Sequence, residues 1–181
     1  MGERDAGWEG VRMNPEFGDG KTMLDLVLQQ EKSLRFASFT MEDGWKLGLI
    51  IRDRVTEHGG NAAVDVTVGG VQLFRCAVGV PTPNNSRWIR RKMNTVLENW
   101  KSSLRVTIEM EMANRTLEGF GMSAAEFALS GGSFPIWVAG QGVIGTATVS
   151  GLPQTHDHQM VAESIAQMLT VSVPNILQPG K

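Results

Sequence analysis

Two pairs of alternating segments, each joined by a short glycine turn, constrain the fold of this chain more than any other feature. In residues 63–68, valines occupy every second position. Gly69-Gly70 follows, and a second alternating run covers residues 71–78. Glycine adopts the positive φ of a tight hairpin turn at little cost, so this pattern predicts a β-hairpin.

A second hairpin is predicted between residues 133–138 and residues 143–149, with Gly140-Gln141 at the turn. The glycines from Gly140 to Gly145 superficially resemble a dinucleotide-binding fingerprint. That fingerprint must open a helix whose N-terminus holds the phosphate, whereas a strand follows here. We therefore interpret these glycines as turn and sheet-packing residues.

Apolar residues at helical spacing predict the other elements. Five helices are predicted: residues 22–33, a segment from Thr40 to Gly59-Gly60, residues 86–113, residues 124–129, and a last segment that begins at Thr155. Ser123 is the expected cap of the fourth helix. Residues 34–39 are predicted to form a short strand. Thr40 is the expected N-cap of the second helix, and Asp43 favours its positive end. Helices interleaved with hairpins favour an α/β (α+β) fold, in which helices flank a mainly antiparallel sheet and residues 86–113 form one long central helix.

Composition limits the environment and the class of partner. The 181 residues include 17 basic and 19 acidic side chains, and this near-neutral balance argues against nucleic-acid partners and membrane adsorption. The single cysteine, Cys76, is interpreted as a buried apolar residue and fits a reducing compartment. No apolar run reaches the ~18 residues of a membrane helix, so we expect a cytoplasmic protein without membrane insertion.

Three segments resemble one protein family when they are taken together. They are Trp88-Ile89-Arg90-Arg91-Lys92 with Asn94-Thr95-Val96, the hairpin at residues 131–145, and Val149-Ser150-Gly151-Leu152-Pro153 with Asp157-His158. The combination is similar to an uncharacterised small-protein family of the haem-degrading-domain superfamily, which includes HbpS-like proteins, GlcG-like proteins and the C-terminal domain of PduO-type adenosyltransferases. The resemblance spans residues 22–169. It implies a five-stranded antiparallel sheet flanked by helices, assembly into homo-oligomers, and haem or a related tetrapyrrole as a candidate cofactor.

The resemblance also divides the chain into three parts. We expect a mobile N-terminal segment at residues 1–20, a single HbpS/GlcG-like domain at residues 21–170 and an extended C-terminal tail at residues 171–181. One departure from the family pattern affects the surface. Trp137 stands where family members usually carry a basic side chain.

The first ligand-binding candidates lie in two predicted helices. They are His158 and Asp157 in the last helix, and Arg91, Lys92 and Asn94 in the long one. A histidine can coordinate haem iron or exchange a proton near neutral pH, although His158 could instead pack locally. Basic side chains can clamp a carboxylate or phosphate, or can serve structure and subunit contacts. We expect any pocket to lie where the helix starts near Ser86 and Thr155 approach the sheet.

Ser102 and Ser103 are two further candidates, read as mid-helix positions that expose a hydroxyl to a ligand or allow close helix packing. No histidine or aspartate lies nearby in sequence to activate them, so a nucleophile is not indicated. His156 and His158 point to different sides of a helix, and no metal site is predicted.

The resulting hypothesis is a protein that binds haem, a related tetrapyrrole or a small anionic ligand. A non-enzymatic interaction or scaffold module is the alternative, and an enzyme on a small organic substrate is the weaker third. Trp137, Ile176 and Leu177 are candidate contact residues for a homodimer or a larger assembly of dimers.

Overall fold

The two predicted hairpins supply four of the five strands. The computed structural model describes residues 14–177. The strands are β1 (Arg35–Phe36), β2 (Ala62–Val68), β3 (Val71–Val78), β4 (Ser133–Val138) and β5 (Gly142–Ser150). The helices are α1 (Gly20–Ser33), α2 (Met41–Glu57), α3 (Pro83–Asn99), α4 (Ser103–Met112) and α5 (Gln154–Leu169), with short 3-10 helices at Pro15–Phe17 and Glu118–Phe120.

The sheet has the order β1-β4-β5-β2-β3. Neighbouring strands are antiparallel except β1 and β4, which run parallel through the pairs Arg35–Trp137 and Phe36–Val138. The predicted α+β class, the five strands and both hairpins are confirmed. The predicted strand at residues 34–39 shortens to two residues, because the chain turns away from the sheet towards the cap of α2.

The two faces of the sheet differ in chemistry. One face carries apolar side chains that pack against α2 and α5, including Val64, Val66, Phe134 and Ile136. Residues that alternate with them are buried and polar, namely Asp65, Ser133, Thr146 and Thr148. α3 packs against β5, β4 and β2. A smaller apolar cluster between α1 and α4 also holds the segment after α5.

The predicted long central helix is wrong, because it is broken at Trp100. α3 ends at Asn99, and Trp100 takes the left-handed conformation with φ 54° and ψ 31°. Ser102 then caps α4, its Oγ accepting a hydrogen bond from the amide of Arg105 at 3.3 Å. The longest elements are α2 and α3, at 17 residues each. Ser102 and Ser103 are therefore the start of a helix and not its middle.

The predicted short helix at residues 124–129 is also wrong. The amides of Glu126 and Phe127 both donate to the carbonyl of Ser123, which makes a single turn. The following carbonyls bond to side chains of α3, so the backbone does not continue as a helix. α1 begins at Gly20 behind the cap Asp19, two residues earlier than expected, and α5 begins one residue before Thr155. Among the described residues, no helix is long and apolar enough to cross a membrane.

The start of α2 confirms the predicted cap. Thr40 Oγ1 accepts from the amide of Asp43 at 3.2 Å, and the Asp43 carboxylate accepts from the amide of Thr40 at 2.8 Å. Thr40→Ala is expected to lower the free energy of unfolding by about 1 kcal/mol, because it removes the acceptor for an otherwise unpaired amide. Urea unfolding measures the change. Thr56→Ala, at an exposed site later in α2, is the matched control and should stay within about 0.5 kcal/mol of the wild type. Equal effects of the two changes would contradict the capping role.

Candidate functional site

The start of α3, the end of β5 and the first turn of α5 meet at one cleft. Asn85 in the first turn of α3 donates its Nδ2–H to the carbonyl of Ser150 at 3.0 Å, which joins the helix to the strand. The cleft has a volume of about 270 Å³ and is lined by Thr82, Asn84, Asn85, Trp88, Lys92, Ser130, Ser150, Gly151, Leu152 and Asp157. The structure thus brings together the two helix starts that the sequence singled out.

A buried ion pair forms the floor of this cleft. Lys92 Nζ donates to Asp157 Oδ2 at 2.8 Å and to the carbonyl of Val149 at 3.2 Å. The side chains of Lys92 and Asp157 are only 3% and 1% exposed. The Asp157 carboxylate also accepts from the amides of Gly151 and Leu152, at 3.3 and 3.0 Å. The pair therefore ties α3 to the connection between β5 and α5.

Burial raises the pKa of the Asp157 carboxyl above its ordinary value, although the Lys92 ammonium and the hydrogen bonds act in the opposite direction. Removal from water penalises the charged form of a carboxyl, and here that penalty outweighs the favourable partners. Lys92 and the two amides therefore stabilise the charged form of Asp157 against the cost of its burial.

Gly132 makes room for the ion pair. Its φ of +120° is a conformation that favours glycine. A Cβ at this position would lie 2.5 Å from the Val149 carbonyl oxygen, 2.7 Å from Asp157 Cβ and 2.8 Å from Lys92 Nζ. Glycine is therefore required at this position both because these atoms approach it closely and because its φ is positive. Sequence reasoning assigned Gly131-Gly132 to the strand start and missed this role.

α3 carries more positive than negative charge along its length, although of its cations only Lys92 lines the cleft. The first turn of α3 carries no acidic residue, so its positive end has no local carboxylate. Arg87, Arg90, Arg91 and Lys92 follow, and the one acidic residue of the helix is Glu98 near its end. Lys92 has three N–H groups and two acceptors within residues 14–177. This arrangement favours an anion over a cation in the cleft.

Arg91 and Asn94 lie beside the cleft and fix a loop. Arg91 Nε donates to the carbonyl of Phe127 at 3.0 Å, and the guanidinium lies 4.5 Å from the centroid of the Trp88 ring. Asn94 Nδ2 donates to the carbonyl of Glu126 at 2.9 Å. Both side chains project from α3 to the segment that precedes β4, and neither lines the cleft.

His158 lies on a different face of α5 from the one that borders the cleft. Its side chain is 0% exposed and packs at 5.4 Å, centroid to centroid, from the ring of Phe134. Nε2 lies 2.8 Å from Gln30 Oε1. Burial lowers the pKa of His158 to about 3, so the ring is neutral at physiological pH. Neighbouring helical residues point about 100° apart, which separates His158 from Asp157.

The remaining candidates are distributed over the molecule. Ser103 Oγ accepts from the amide of Ser133 at 3.0 Å and joins α4 to β4. Trp137 is partly buried and packs against Trp100. Ile176 is 1% exposed and lies in the cluster between α1 and α4, so it is a core residue of its own chain. Leu177 packs partly buried at the edge of the same cluster. Gln30, the partner of His158, had no signal in the sequence.

Comparison with known proteins places the fold and the chain in one family. The family model described as "Haem degrading protein HbpS-like" matches residues 39–166. A UPF0303 protein of Rhizobium rhizogenes is 41% identical over 153 residues, which cover 84% of this chain and 94% of that relative. The crystal structure of Ybr137w protein is similar with a TM-score of 0.75 and 29% identity, over 81% of this chain and 87% of that one.

A third comparison shows the fold alone. The crystal structure of the PduOC:heme complex has a TM-score of 0.62 and 16% identity, over 76% of this chain and 98% of that one. Lys92 and Asp157, from two of the segments that suggested the resemblance, line one cleft, and Gly132 from the third makes room for their ion pair. The chain belongs to the HbpS-like family, and the UPF0303 proteins are its relatives within it.

Proposed function

We propose that this protein binds a small molecule with a carboxylate or phosphate group in the cleft between α3 and α5. The observation that supports this most strongly is the buried Lys92 ammonium at the floor of a cleft that is open to solvent. A buried ammonium is costly unless it is paired, and one of its three N–H groups has no acceptor among the described residues. An anionic oxygen would supply that acceptor.

The surroundings of Lys92 suit such a ligand. The amide end of α3 favours negative charge, and the side chains of Asn84 and Thr82 line the rim. The Asp157 carboxyl, whose pKa is raised by burial, can take up a proton when a second anion approaches Lys92. The ligand and Asp157 then share one ammonium without two adjacent negative charges.

Haem is the ligand that the family's description suggests, and the residues of this cleft do not fit it. The volume of about 270 Å³ is below the roughly 300–1,000 Å³ of pockets that enclose drug-sized ligands. His158, which the sequence favoured as an axial ligand, is closed off from the cleft and from solvent. We infer that the ligand of this cleft is smaller than a tetrapyrrole.

Asn84→Asp tests the proposal without touching the buried ion pair. Asn84 is exposed in the first turn of α3, where a carboxylate is compatible with the helix. The new charge should repel an anion at Lys92 by about 1 kcal/mol, a roughly fivefold loss of affinity for acetate or inorganic phosphate. Titration calorimetry on the wild type and the variant measures the two dissociation constants.

Gln141→Glu is the matched control, because it adds the same charge at the exposed β4–β5 turn. It should leave the affinity unchanged. Absence of saturable binding to the wild type, or equal losses in both variants, would overturn the proposal. Native mass spectrometry of protein purified from its own host would then identify the ligand class directly.

Self-association stays a prediction. Trp137, proposed as a contact, is partly covered within its own chain by Trp100 and by the guanidinium of Arg35. Its remaining surface lies on β4, next to the short edge strand β1. Light scattering at micromolar concentration should give at least twice the monomer mass, and a monomer at every concentration would contradict it.

A further inference from the structure

Two tryptophan rings form an aromatic corner where α3 ends. Trp100 is 52% exposed, and its ring lies 5.9 Å from the ring of Trp137 at an angle of 89°. Trp100 adopts a left-handed backbone conformation that bulky residues rarely take. A Cβ on Gly142 would lie 2.9 Å from Trp100 Cζ3, so a glycine at the start of β5 is needed to admit the ring. The chain thus holds an exposed indole in a strained but defined position.

A cation without a carboxylate partner lies beside this corner. The guanidinium carbon of Arg35 is 4.5 Å from the centroid of the Trp137 ring. Arg35 Nε reaches the carbonyl of Glu31 at 3.4 Å, and no carboxylate pairs with Arg35 within residues 14–177. A guanidinium that lies over an aromatic face keeps its edge N–H groups available to an anion.

The nearby charges do not neutralise Arg35. Lys101 Nζ pairs with Glu109 at 2.7 Å, and Arg105 pairs with both Glu31 and Glu109, at 2.8 and 2.7 Å. Three cations therefore face two carboxylates, which leaves one positive charge among these described side chains. A ligand with a single negative charge would balance it.

The corner encloses a pocket of about 220 Å³ whose lining includes Trp100, Trp137, Arg35 and Asn99. It shares no lining residue with the cleft at Lys92. Two aromatic walls at right angles accommodate one flat ring by stacking on one indole and meeting the edge of the other. The pocket therefore combines a place for a ring with a place for one anionic group.

We propose that this pocket is a second binding site, specific for a small aromatic carboxylate. The ring of the ligand contacts the exposed indole of Trp100, and its carboxylate accepts hydrogen bonds from the guanidinium of Arg35. The site is independent of the anion cleft between α3 and α5, since the two differ in position and in the chemistry of their walls.

Benzoate is the probe that tests this site, with benzyl alcohol as its neutral counterpart. Benzoate should quench tryptophan fluorescence saturably and shift the indole N–H resonances of Trp100 and Trp137 in NMR spectra. Arg35→Gln, at an exposed position, should lower benzoate affinity about tenfold, because a charge-assisted hydrogen bond is lost. Trp100→Leu should lower it by a similar factor, and Asn84→Asp should leave the benzoate affinity measured from the Trp100 and Trp137 resonances unchanged.

Four results would overturn the proposal. The first is the absence of saturable benzoate binding. The second is equal affinity for benzoate and benzyl alcohol, which would remove the role of Arg35. The third is that Trp100→Leu lowers a dimer mass to the monomer mass while benzoate does not change the mass of either protein. That result would make this corner a contact between copies of the chain. The fourth is the loss of the benzoate-induced shifts at Trp100 and Trp137 in Asn84→Asp, which would contradict a separate site.

Discussion

Replacing Lys92 with methionine is expected to lower the free energy of unfolding by about 3–5 kcal/mol at pH 7. Methionine fills much of the space but leaves the Asp157 carboxylate, which is 1% exposed, without its counter-charge. The carboxyl, whose pKa burial already raises, would respond by taking up a proton. The loss should therefore become smaller as the pH is lowered, and urea unfolding at pH 7 and pH 5 measures both values.

Lys101→Met is the matched control for this change. Lys101 also pairs with a carboxylate, Glu109, but the two side chains are 34% and 31% exposed. Such a pair contributes about 0–1 kcal/mol, because water solvates both partners when the pair is broken. The double variant Lys92→Met/Asp157→Asn should recover part of the stability that Lys92→Met loses, since no buried charge remains unpaired. A Lys92→Met protein as stable as Lys101→Met would contradict the ion pair's structural role.

The sequence predicted the parts of this fold that short-range patterns determine. Each hairpin joins strands that are adjacent in sequence, and period-two alternation with glycines at the turn is sufficient to identify them. The cap at Thr40 is likewise a relation over three residues. These features depend on the backbone preferences of a few neighbouring side chains, so they can be recognised without tertiary structure.

The break at Trp100 was not predictable in the same way. Trp100, Leu104 and Ile108 continue the apolar spacing of α3, and a continuous helix fits that pattern. The helix ends because the Trp100 ring packs on Trp137 and over Gly142, which are about 40 residues away in sequence. A tertiary contact outweighs local helical preference here, and no glycine or proline marks the position.

The candidate site likewise combines features that the sequence predicts with features that only the tertiary structure determines. The resemblance identified Lys92 and Asp157 as candidates, yet their contact joins residues 65 positions apart and depends on Gly132 lacking a side chain. His158 was preferred because histidine is chemically versatile, but its environment is set by Gln30, at a separation of 128 residues. Residue type suggested that both Asp157 and His158 matter. The packing of α5 determines that Asp157, and not His158, faces the cleft.

The buried His158 predicts a loss of stability in mild acid. Its pKa is about 3 in the folded protein and about 6.5 when exposed, because burial disfavours the imidazolium. Above pH 6.5 both states are neutral and the histidine contributes no pH dependence. Below pH 6.5 the unfolded chain binds a proton that the folded protein does not, so stability falls by about 1.4 kcal/mol per pH unit until the folded ring protonates near pH 3. Between pH 7 and pH 5 we expect a loss of about 2 kcal/mol from this residue.

His158→Gln isolates this contribution, because glutamine can still donate to Gln30 Oε1 but has no group that titrates. The comparison must be made between variants, since Asp157 acts in the opposite direction: its raised pKa lets the folded protein bind a proton first, which adds stability as the pH falls. The wild type should therefore lose about 2 kcal/mol more than His158→Gln between pH 7 and pH 5 in urea unfolding. His58→Gln, at an exposed position at the end of α2, should follow the wild type. If His158→Gln and the wild type lose stability in parallel between pH 7 and pH 5, the imidazole takes up its proton in the folded protein as well. Nδ1 of His158 has no hydrogen-bond partner among residues 14–177, so the protonated ring would then need an acceptor at that nitrogen.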